Sequence, residues 1–340
     1  MKPNKVYTLD GVSGIPRGFA ARPMTMDAAA ISGGNAFLES ELEKLDPTLR
    51  EPLTSFTYPR DIPIESGGGW VETTSVVNVD YAVSGGQSDA VGGVQNNVRL
   101  IQANMDKDLF KVFPYEVAMQ IKFVDMERGK VTGRSLEQVY DNGIRLDWDK
   151  YLDINTYQGQ AAYGTSGLMN HPGVTAASVA QNAGATSTLW TNKTPDEILK
   201  DVNSVIVAAW AAAQYDQSAV PNHVLIDPAN YAYIASTKVS QAADKTILEF
   251  LLDNNIAKKK GVSLEIAECR FCIGAGTGGT NRMVAYVNNK RFINMPVPVA
   301  LSRVMTQPNV GTASYDSLYV GNVGQVQVIY FQPIRYADGI

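Results

Sequence analysis

The clearest pattern in the chain is an alternation of apolar and polar residues on both sides of a glycine-rich segment. Val77, Val79 and Tyr81 alternate with polar residues, and the alternation resumes after the glycines. Period two on both sides of a flexible tip predicts a β-hairpin over residues 66–104. A lone two-stranded hairpin is marginally stable in water and needs a surface to lie on. That surface belongs either to a second subunit or to a sheet of the hairpin's own domain.

The positions of this hairpin that we expect to contact a second subunit are its apolar residues and its flexible tip. They are Trp70, Val77, Val79, Tyr81, Gly85, Gly86, Val94, Val98 and Leu100. Apolar side chains supply area to bury, and tip glycines supply conformational tolerance.

Residues 1–65 are interrupted by many prolines and glycines, which break helical and strand patterns. One short helical pattern, at residues 36–45, cannot bury its own apolar face. Two interpretations remain open. The segment is either an arm that lies over this chain or a neighbour, or a disordered tail.

A long helix is predicted after a further strand at residues 107–123. Apolar residues repeat at spacings of three and four between residues 136 and 152, which is one helical stripe. Ser135 makes a plausible cap at the start, and extension to Gly164 gives a length of about 43 Å. Gly143 inside the helix costs about 1 kcal/mol relative to alanine. A helix of this length predicts a rigid spine.

Residues 165–296 are predicted to form a compact α+β domain. The sequence Thr194-Pro195-Asp196-Glu197 is a strong helix start, with a capping threonine and a proline at the first position. Further helices are predicted at 231–235 and 246–252, and strands at 223–227, 263–273 and 282–287. A last apolar strand is predicted at 325–331.

Composition excludes several classes of function. The 340 residues carry a net charge of −5, so the chain lacks the basic character of a specific DNA-binding protein. Two cysteines exclude a disulfide scaffold, and two histidines, His171 and His223, lie far apart in sequence. The chain has neither an apolar run long enough to span a membrane nor a signal peptide. We therefore expect a soluble protein made in a cytoplasm.

Two motifs suggest cofactor or metal chemistry. Gly274, Gly276 and Gly279 match G-x-G-x-x-G, but a strand-like segment follows where a dinucleotide site needs a helix, so we expect a hairpin turn. Cys269 and Cys272 have C-x-x-C spacing without a second ligand pair for zinc, so we expect two reduced cysteines in a strand.

Three further features have structural interpretations. Asp149 and Asp153 are expected on a solvated helix face, and Ser166 in a turn that lacks the G-x-S-x-G pattern. The basic run 258–260 suits the carbonyl end of a helix. We therefore expect neither a catalytic site nor a cofactor or metal site.

The order of these elements resembles the major capsid protein fold of tailed bacteriophages, which encapsulin shells share. Residues 163–174 (Tyr-Gly-Thr-Ser-Gly-Leu-Met-Asn-His-Pro-Gly-Val) are similar to the junction that follows the spine helix in many phage coat proteins. Trp190 with the helix start at Thr194, and the segment 61–64 before the hairpin, also fit the family. The resemblance covers nearly the whole chain.

This resemblance implies an α+β phage capsid fold in four parts. They are an N-terminal arm (1–65), an extended β-hairpin loop (66–104), a peripheral domain with the spine helix (105–163 and 297–340) and an axial domain (164–296) at each pentamer or hexamer centre. Some family members cross-link subunits through a lysine in the extended loop. The absence of lysine between Lys44 and Lys107 makes that chemistry doubtful here.

The function implied is a structural one, assembly of an icosahedral or prolate head around double-stranded DNA. Its partners would be other copies of the chain, scaffolding, portal and cementing proteins, and DNA contacted non-specifically. The location would be the virion, after assembly in the host cytoplasm. Two alternatives remain, an encapsulin-like compartment and a nucleotide-dependent oxidoreductase that uses residues 274–279.

Overall fold

A computed structural model describes Pro52 and residues 54–83, 100–132, 135–240 and 244–340 of the chain. Most of the predicted arm therefore lies outside the described residues. So do Gly85, Gly86, Val94 and Val98 of the predicted hairpin.

The elements of the described residues are as follows. The strands are β1 (Ile64–Ser66), β2 (Thr73–Val83), β3 (Ile101–Lys122), β4 (Ala176–Ser178), β5 (His223–Ile226), β6 (Glu265–Glu268), β7 (Arg282–Tyr286), β8 (Ile293–Val297), β9 (Val299–Asn309), β10 (Ser314–Gly324), β11 (Gln327–Val328) and β12 (Arg335–Asp338). The α-helices are α1 (Tyr58–Asp61), α2 (Phe123–Thr132), α3 (Leu136–Tyr157), α4 (Pro195–Ala212), α5 (Pro228–Ser236), α6 (Ile247–Asn254) and α7 (Ile256–Lys259). Short 3₁₀ turns occur at Ala161–Tyr163, Trp190–Asn192, Gln217–Ala219, Arg270–Cys272 and Thr277–Gly279.

A four-stranded antiparallel sheet with the order β2-β3-β10-β9 is covered on one face by the spine helix α3. The side chain of Ser135 caps the helix by accepting from the backbone of Gln138. Trp148 of the spine packs edge-on against Tyr115 of β3, with 5.1 Å between ring centroids. Aromatic packing of this kind between helix and strand fixes the helix on the sheet.

The spine is shorter than predicted. It spans 22 residues, which is about 33 Å at the usual rise per residue, and ends at Tyr157. Gly159 then adopts a left-handed conformation with φ of 69°, and the chain reverses. The predicted separate strand at 107–123 also differs, because β3 is one unbroken strand that continues from the hairpin into the sheet.

A second sheet has the order β4-β12-β7-β5-β6. Helix α4 packs on it and begins with the predicted capping box at Thr194. The predicted hairpin across the glycine-rich turn is wrong, because β5 lies between β6 and β7. The apolar runs on both sides of the glycines did not reveal this central strand.

The C-terminal boundary also differs from the prediction. Residues 335–338 form β12 in the five-stranded sheet, paired with β7, and do not join the four-stranded sheet. The apolar segment 325–331 contributes only the two-residue strand β11, which pairs with β8. A third small sheet, β1-β8-β11, brings the end of the predicted arm, residues 64–65, and the first residue of the predicted hairpin into the folded body.

The one-turn helix α1 joins the spine to the five-stranded sheet through polar contacts. Its N-terminal amides, from Thr57 and Tyr58, donate to the Asp153 carboxylate of the spine at 3.1 and 3.3 Å. The Arg270 guanidinium donates to the same carboxylate at 2.9 Å. The prediction that Asp153 lies on a solvated face is therefore wrong, since the residue is buried and Asp149 accepts from the Tyr58 hydroxyl.

At the other end of α1 lies Asp61, which is fully buried. Its carboxylate is 3.0 Å from Nε2 of His223 on β5 and 2.7 Å from Nε of Arg60, and it accepts from the Tyr157 hydroxyl of the spine. Burial raises the pKa of Asp61, but hydrogen bonds from His223, Arg60 and Tyr157 outweigh it and hold the pKa below its ordinary value. The charged form is therefore the stabilised one.

Asp61→Asn is expected to lower the free energy of unfolding by about 3 kcal/mol, because it leaves buried donors without their charged acceptor. Urea denaturation at neutral pH measures this loss.

A carboxyl with a depressed pKa contributes stability above its unfolded pKa, near 3.8, and loses it as the pH falls through the folded value. The difference in free energy of unfolding between the wild type and Asp61→Asn should therefore shrink as the pH falls below 3.8. Glu127→Gln, at an exposed pair with Lys130, is the control and should cost less than about 0.5 kcal/mol. Equal costs at both positions would contradict a special role for Asp61.

Candidate assembly surface

Strand β2 and the first half of β3 form a long two-stranded ribbon that projects from the four-stranded sheet. The two strands pair in antiparallel register from Thr73 opposite Lys111 to Val83 opposite Ile101. Beyond Lys111, β3 leaves β2 and pairs with β10. The ribbon is thus a continuation of the sheet, and its side chains alternate between two faces.

One face of the ribbon is apolar and uncovered. In this register, odd-numbered residues of both strands share a face, so Val79 stands opposite Met105 and Tyr81 opposite Ala103. The large apolar side chains of this face are between 43% and 71% exposed. They are Val77, Val79, Tyr81, Ile101, Met105 and Leu109. Full burial of a side chain of this size is worth about 1.5–3 kcal/mol, so this apolar face is a strong candidate for a protein contact.

The opposite face of the ribbon is mostly polar. Asp80 stands opposite Asn104 and Asn78 opposite Asp106. The side-chain amide of Asn78 donates to the Asp108 carboxylate at 2.6 Å. This polar face suits contact with water.

The body of the protein holds the base of the ribbon. The side chains of Asn322 and Gln327 donate to the Val71 carbonyl and the Thr74 hydroxyl, at 3.0 and 2.6 Å. The ammonium of Lys111 donates to the Tyr163 carbonyl at 2.9 Å. On the β2 side, Gly67, Gly68 and Gly69 all have positive φ angles, of 112°, 112° and 70°, which other residues rarely adopt. The β2 root is therefore built from the residue type with the greatest backbone freedom.

The predicted contact residues that the structure describes lie in this region. Trp70, Val77, Val79, Tyr81 and Leu100 are all exposed. Gly85, Gly86, Val94 and Val98 lie outside the described residues, so their contacts stay a prediction. The prediction missed the β3 side of the apolar face, because it placed the apolar positions of the second strand at Val94, Val98 and Leu100 and ended the hairpin at residue 104. The alternation of Ile101, Met105 and Leu109 with polar residues was the signal that would have extended it.

The glycine-rich loop at residues 274–279 encloses a carboxylate of this same chain. Asp338 accepts from the backbone and the hydroxyl of Thr277 at 2.9 and 3.0 Å, and from Nε of Arg282 at 2.7 Å. A Cβ at Gly276 would lie 3.0 Å from the Asp338 carboxyl carbon. Strand β7 follows the loop, so no helix N-terminus faces it as a dinucleotide site requires. The loop is a structural carboxylate site.

The C-x-x-C pair is also buried, although not in a strand as predicted. Cys269 precedes the 3₁₀ turn Arg270–Cys272, which begins directly after β6 ends at Glu268. Both thiols are free and buried in the core, and burial raises the pKa of Cys272 well above its ordinary value. A thiol in that environment is a poor nucleophile.

The remaining candidate features have structural partners. Lys258 pairs with Asp253 at 2.7 Å, and the Lys260 ammonium lies 4.8 Å from the centre of the Trp210 ring. Within the described ranges, no cluster of three or more histidine, cysteine or acidic residues is arranged to hold a metal ion. The same residues include no helix that is both long and apolar enough to cross a membrane.

Comparison with known proteins places this surface in context. The family model described as major capsid protein matches residues 86–340, which is most of the chain. This chain belongs to the major capsid protein family. A search of curated protein sequences found no relative.

Solved capsids share the fold of this capsid protein. The capsid of Myoviridae phage XM1 superposes with a TM-score of 0.73 and 18% identity, covering 88% of this chain and 98% of the other. The capsid of a native GTA particle superposes with a TM-score of 0.61 and 8% identity, covering 92% of this chain and 99% of the other. A chain from Microbacterium phage Oxtober96 superposes with a TM-score of 0.58 and 10% identity, covering 89% of this chain and 97% of the other.

The family establishes the broad function. This capsid protein is a structural shell protein of a phage head and not an enzyme. It assembles with copies of itself and is located in the virion. The predictions of family, fold class and structural function are therefore confirmed, and the oxidoreductase alternative is not supported.

Proposed function

We propose that this capsid protein forms the pentamers and hexamers of a closed icosahedral or prolate head around double-stranded DNA. The observation that carries the proposal is the ribbon, whose apolar face finds no cover within the described residues of its own chain. A folded protein gains by burying such a face, and another copy of the chain offers the surface.

The ribbon connects one copy of the chain to the next. Its apolar face lies on the body of a neighbouring subunit while its polar face stays in water. Each subunit gives one ribbon and receives another, so weak contacts reinforce one another around a ring through effective concentration. The predicted contact residues Trp70 and Leu100 flank this surface, and Gly85, Gly86, Val94 and Val98 would extend it toward the tip.

The two large sheets form different domains of the subunit. The four-stranded sheet with spine α3 forms the peripheral domain, and the five-stranded sheet with α4 forms the axial domain around each pentamer or hexamer centre. Because β12 lies in the five-stranded sheet, the axial domain includes residues 335–338 as well as most of 164–296. Residues 1–54 act as an arm that reaches over neighbours.

The enclosed DNA is contacted without sequence preference. A net charge of −5 disfavours tight phosphate binding and leaves the genome free to move during packaging and ejection. Scaffolding, portal and cementing proteins act as further partners, and assembly takes place in the host cytoplasm.

Electron microscopy of the purified full-length chain tests this function. We expect closed shells or five- and six-fold rings. A protein that stays monomeric at high concentration, in low and high salt alike, would overturn the proposal that the chain alone builds these assemblies.

A further inference from the structure

Cys269 and Cys272 are the two cysteines of the chain, and both are free thiols in the core. The backbone turn brings them together, since the Cys272 amide donates to the Cys269 carbonyl at 3.2 Å. A turn closed by such a bond places its end Cα atoms within about 7 Å, and a disulfide spans about 4.4–6.8 Å. The thiols are also hydrogen-bond partners, and this contact raises the pKa of Cys272 further than burial alone does. The reduced pair therefore stands at a separation that a disulfide can bridge.

The two residues between the cysteines connect the five-stranded sheet to the spine. Arg270 donates to the Asp153 carboxylate of α3 at 2.9 Å. The ring of Phe271 stacks on the ring of Tyr157, with 4.8 Å between centroids. The turn itself follows directly after β6. A covalent bond across the turn would restrict the backbone that presents both side chains, and would therefore hold both contacts with the spine.

We propose that Cys269 and Cys272 form a disulfide once the shell has left the reducing cytoplasm, and that this bond fixes the five-stranded sheet against the spine. The inference rests on the proposed function, in which the subunit assembles inside a cell and the finished particle leaves it. Thiols of cytosolic proteins are kept reduced, whereas disulfides persist in oxidising surroundings. The subunit would then be compliant during assembly and firmer in the released particle.

Hydrogen peroxide is small enough to act as the oxidant at this buried site. It converts one thiol to a sulfenic acid and is released as water. The second thiol then attacks that sulfur, an S–S bond forms, and a second molecule of water is released. Two S–H bonds are lost in total, and the peroxide is reduced to two molecules of water. The elevated pKa of Cys272 makes the reaction slow, but the partner thiol is in contact and captures the sulfenic acid before further oxidation.

Tryptic mapping of the full-length protein tests the bond directly. Trypsin cleaves after Arg270 and so separates the two cysteines into the peptides 261–270 and 271–282. After treatment with hydrogen peroxide, we expect these peptides as one linked species, lighter than their sum by two hydrogens, that separates on reduction. The intact chain should run as a monomer on a denaturing gel without reductant. Two unlinked cysteines, a sulfinic acid in place of the link, or chains joined in pairs would overturn the proposal.

Thermal unfolding before and after oxidation measures the effect on stability. The wild type should gain about 3 °C in Tm from closure of this short loop, and should lose the gain when the disulfide is reduced. Cys269→Ala is the control, because it keeps every methionine that peroxide can oxidise but cannot form the bond. Linked peptides without a rise in Tm would overturn the stabilising role. Both measurements use the full-length chain whether or not it has assembled, so failure to form shells would count only against the proposed function.

Discussion

Replacing Val79 and Met105 together with serine is expected to abolish shell formation at concentrations where the wild type assembles. The two residues stand opposite each other on the apolar face of the ribbon, and both are exposed in the subunit. Loss of their apolar area would weaken each ribbon contact by about 3 kcal/mol, or roughly a hundredfold in affinity. A closed shell multiplies this loss, because every subunit makes the same contact. Electron microscopy and sedimentation velocity measure the outcome.

The matched control is the neighbouring pair on the other face. Asp80 and Asn104 are also cross-strand partners, so Asp80→Ser with Asn104→Ser disturbs the same stretch of ribbon and leaves the apolar face unchanged. Both double variants should keep the circular dichroism and thermal unfolding of the wild-type subunit. If the two variants assemble equally well, or lose assembly equally, the apolar face is not what joins the copies.

Gly167→Ala is expected to lower the free energy of unfolding by about 3 kcal/mol or to prevent folding. A Cβ at this position would lie 2.4 Å from the carbonyl carbon of Tyr157 and 2.5 Å from its oxygen. Those atoms belong to the backbone at the end of the spine and cannot rotate away. Overpacking of this kind costs about 1–3 kcal/mol in a core that can adjust, and more where it cannot. Chemical denaturation of the subunit measures the loss.

The reason for this close approach is the satisfaction of the last carbonyls of the spine. The backbone amides of Leu168 and Met169 donate to the carbonyls of Thr156 and Tyr157, each at 2.9 Å. The chain must double back onto the helix end to make these bonds, and only glycine leaves room for it. Gly143→Ala adds the same methyl group within the spine helix itself, where the space around a Cβ is open, and is expected to raise stability, so it is the control. A Gly167→Ala protein as stable as the wild type would contradict the packing described here.

The sequence predicted those parts of the fold whose signals are local. Thr194 begins a helix with a complete capping box, and the alternation at Val77, Val79 and Tyr81 lies in a real strand. These features depend on a few neighbouring residues, so a short window contains them. The β2 side of the ribbon's exposed surface could be predicted for the same reason.

Features set by distant partners could not be predicted in this way. Asp153 resembles a solvated residue beside Lys150 in sequence, but it is buried by α1, almost a hundred positions earlier. Strand β5 enters between β6 and β7 from a part of the chain that precedes both. The predicted hairpin turn around Gly276 is likewise a loop that binds the Asp338 carboxylate from the end of the chain. Each of these outcomes is decided by a contact that no local pattern encodes.

The unbroken course of β3 gives the ribbon a mechanical character. One root of the ribbon is the strand β3, which runs directly into the sheet beneath the spine. The other root, before β2, contains the three glycines at positions 67–69. A force on the ribbon would therefore reach the sheet mainly through β3, because β3 is continuous with the sheet and the glycines of the other root constrain the backbone least. If a neighbouring copy holds the ribbon, as proposed, a deformation of one subunit would be passed to that neighbour through β3.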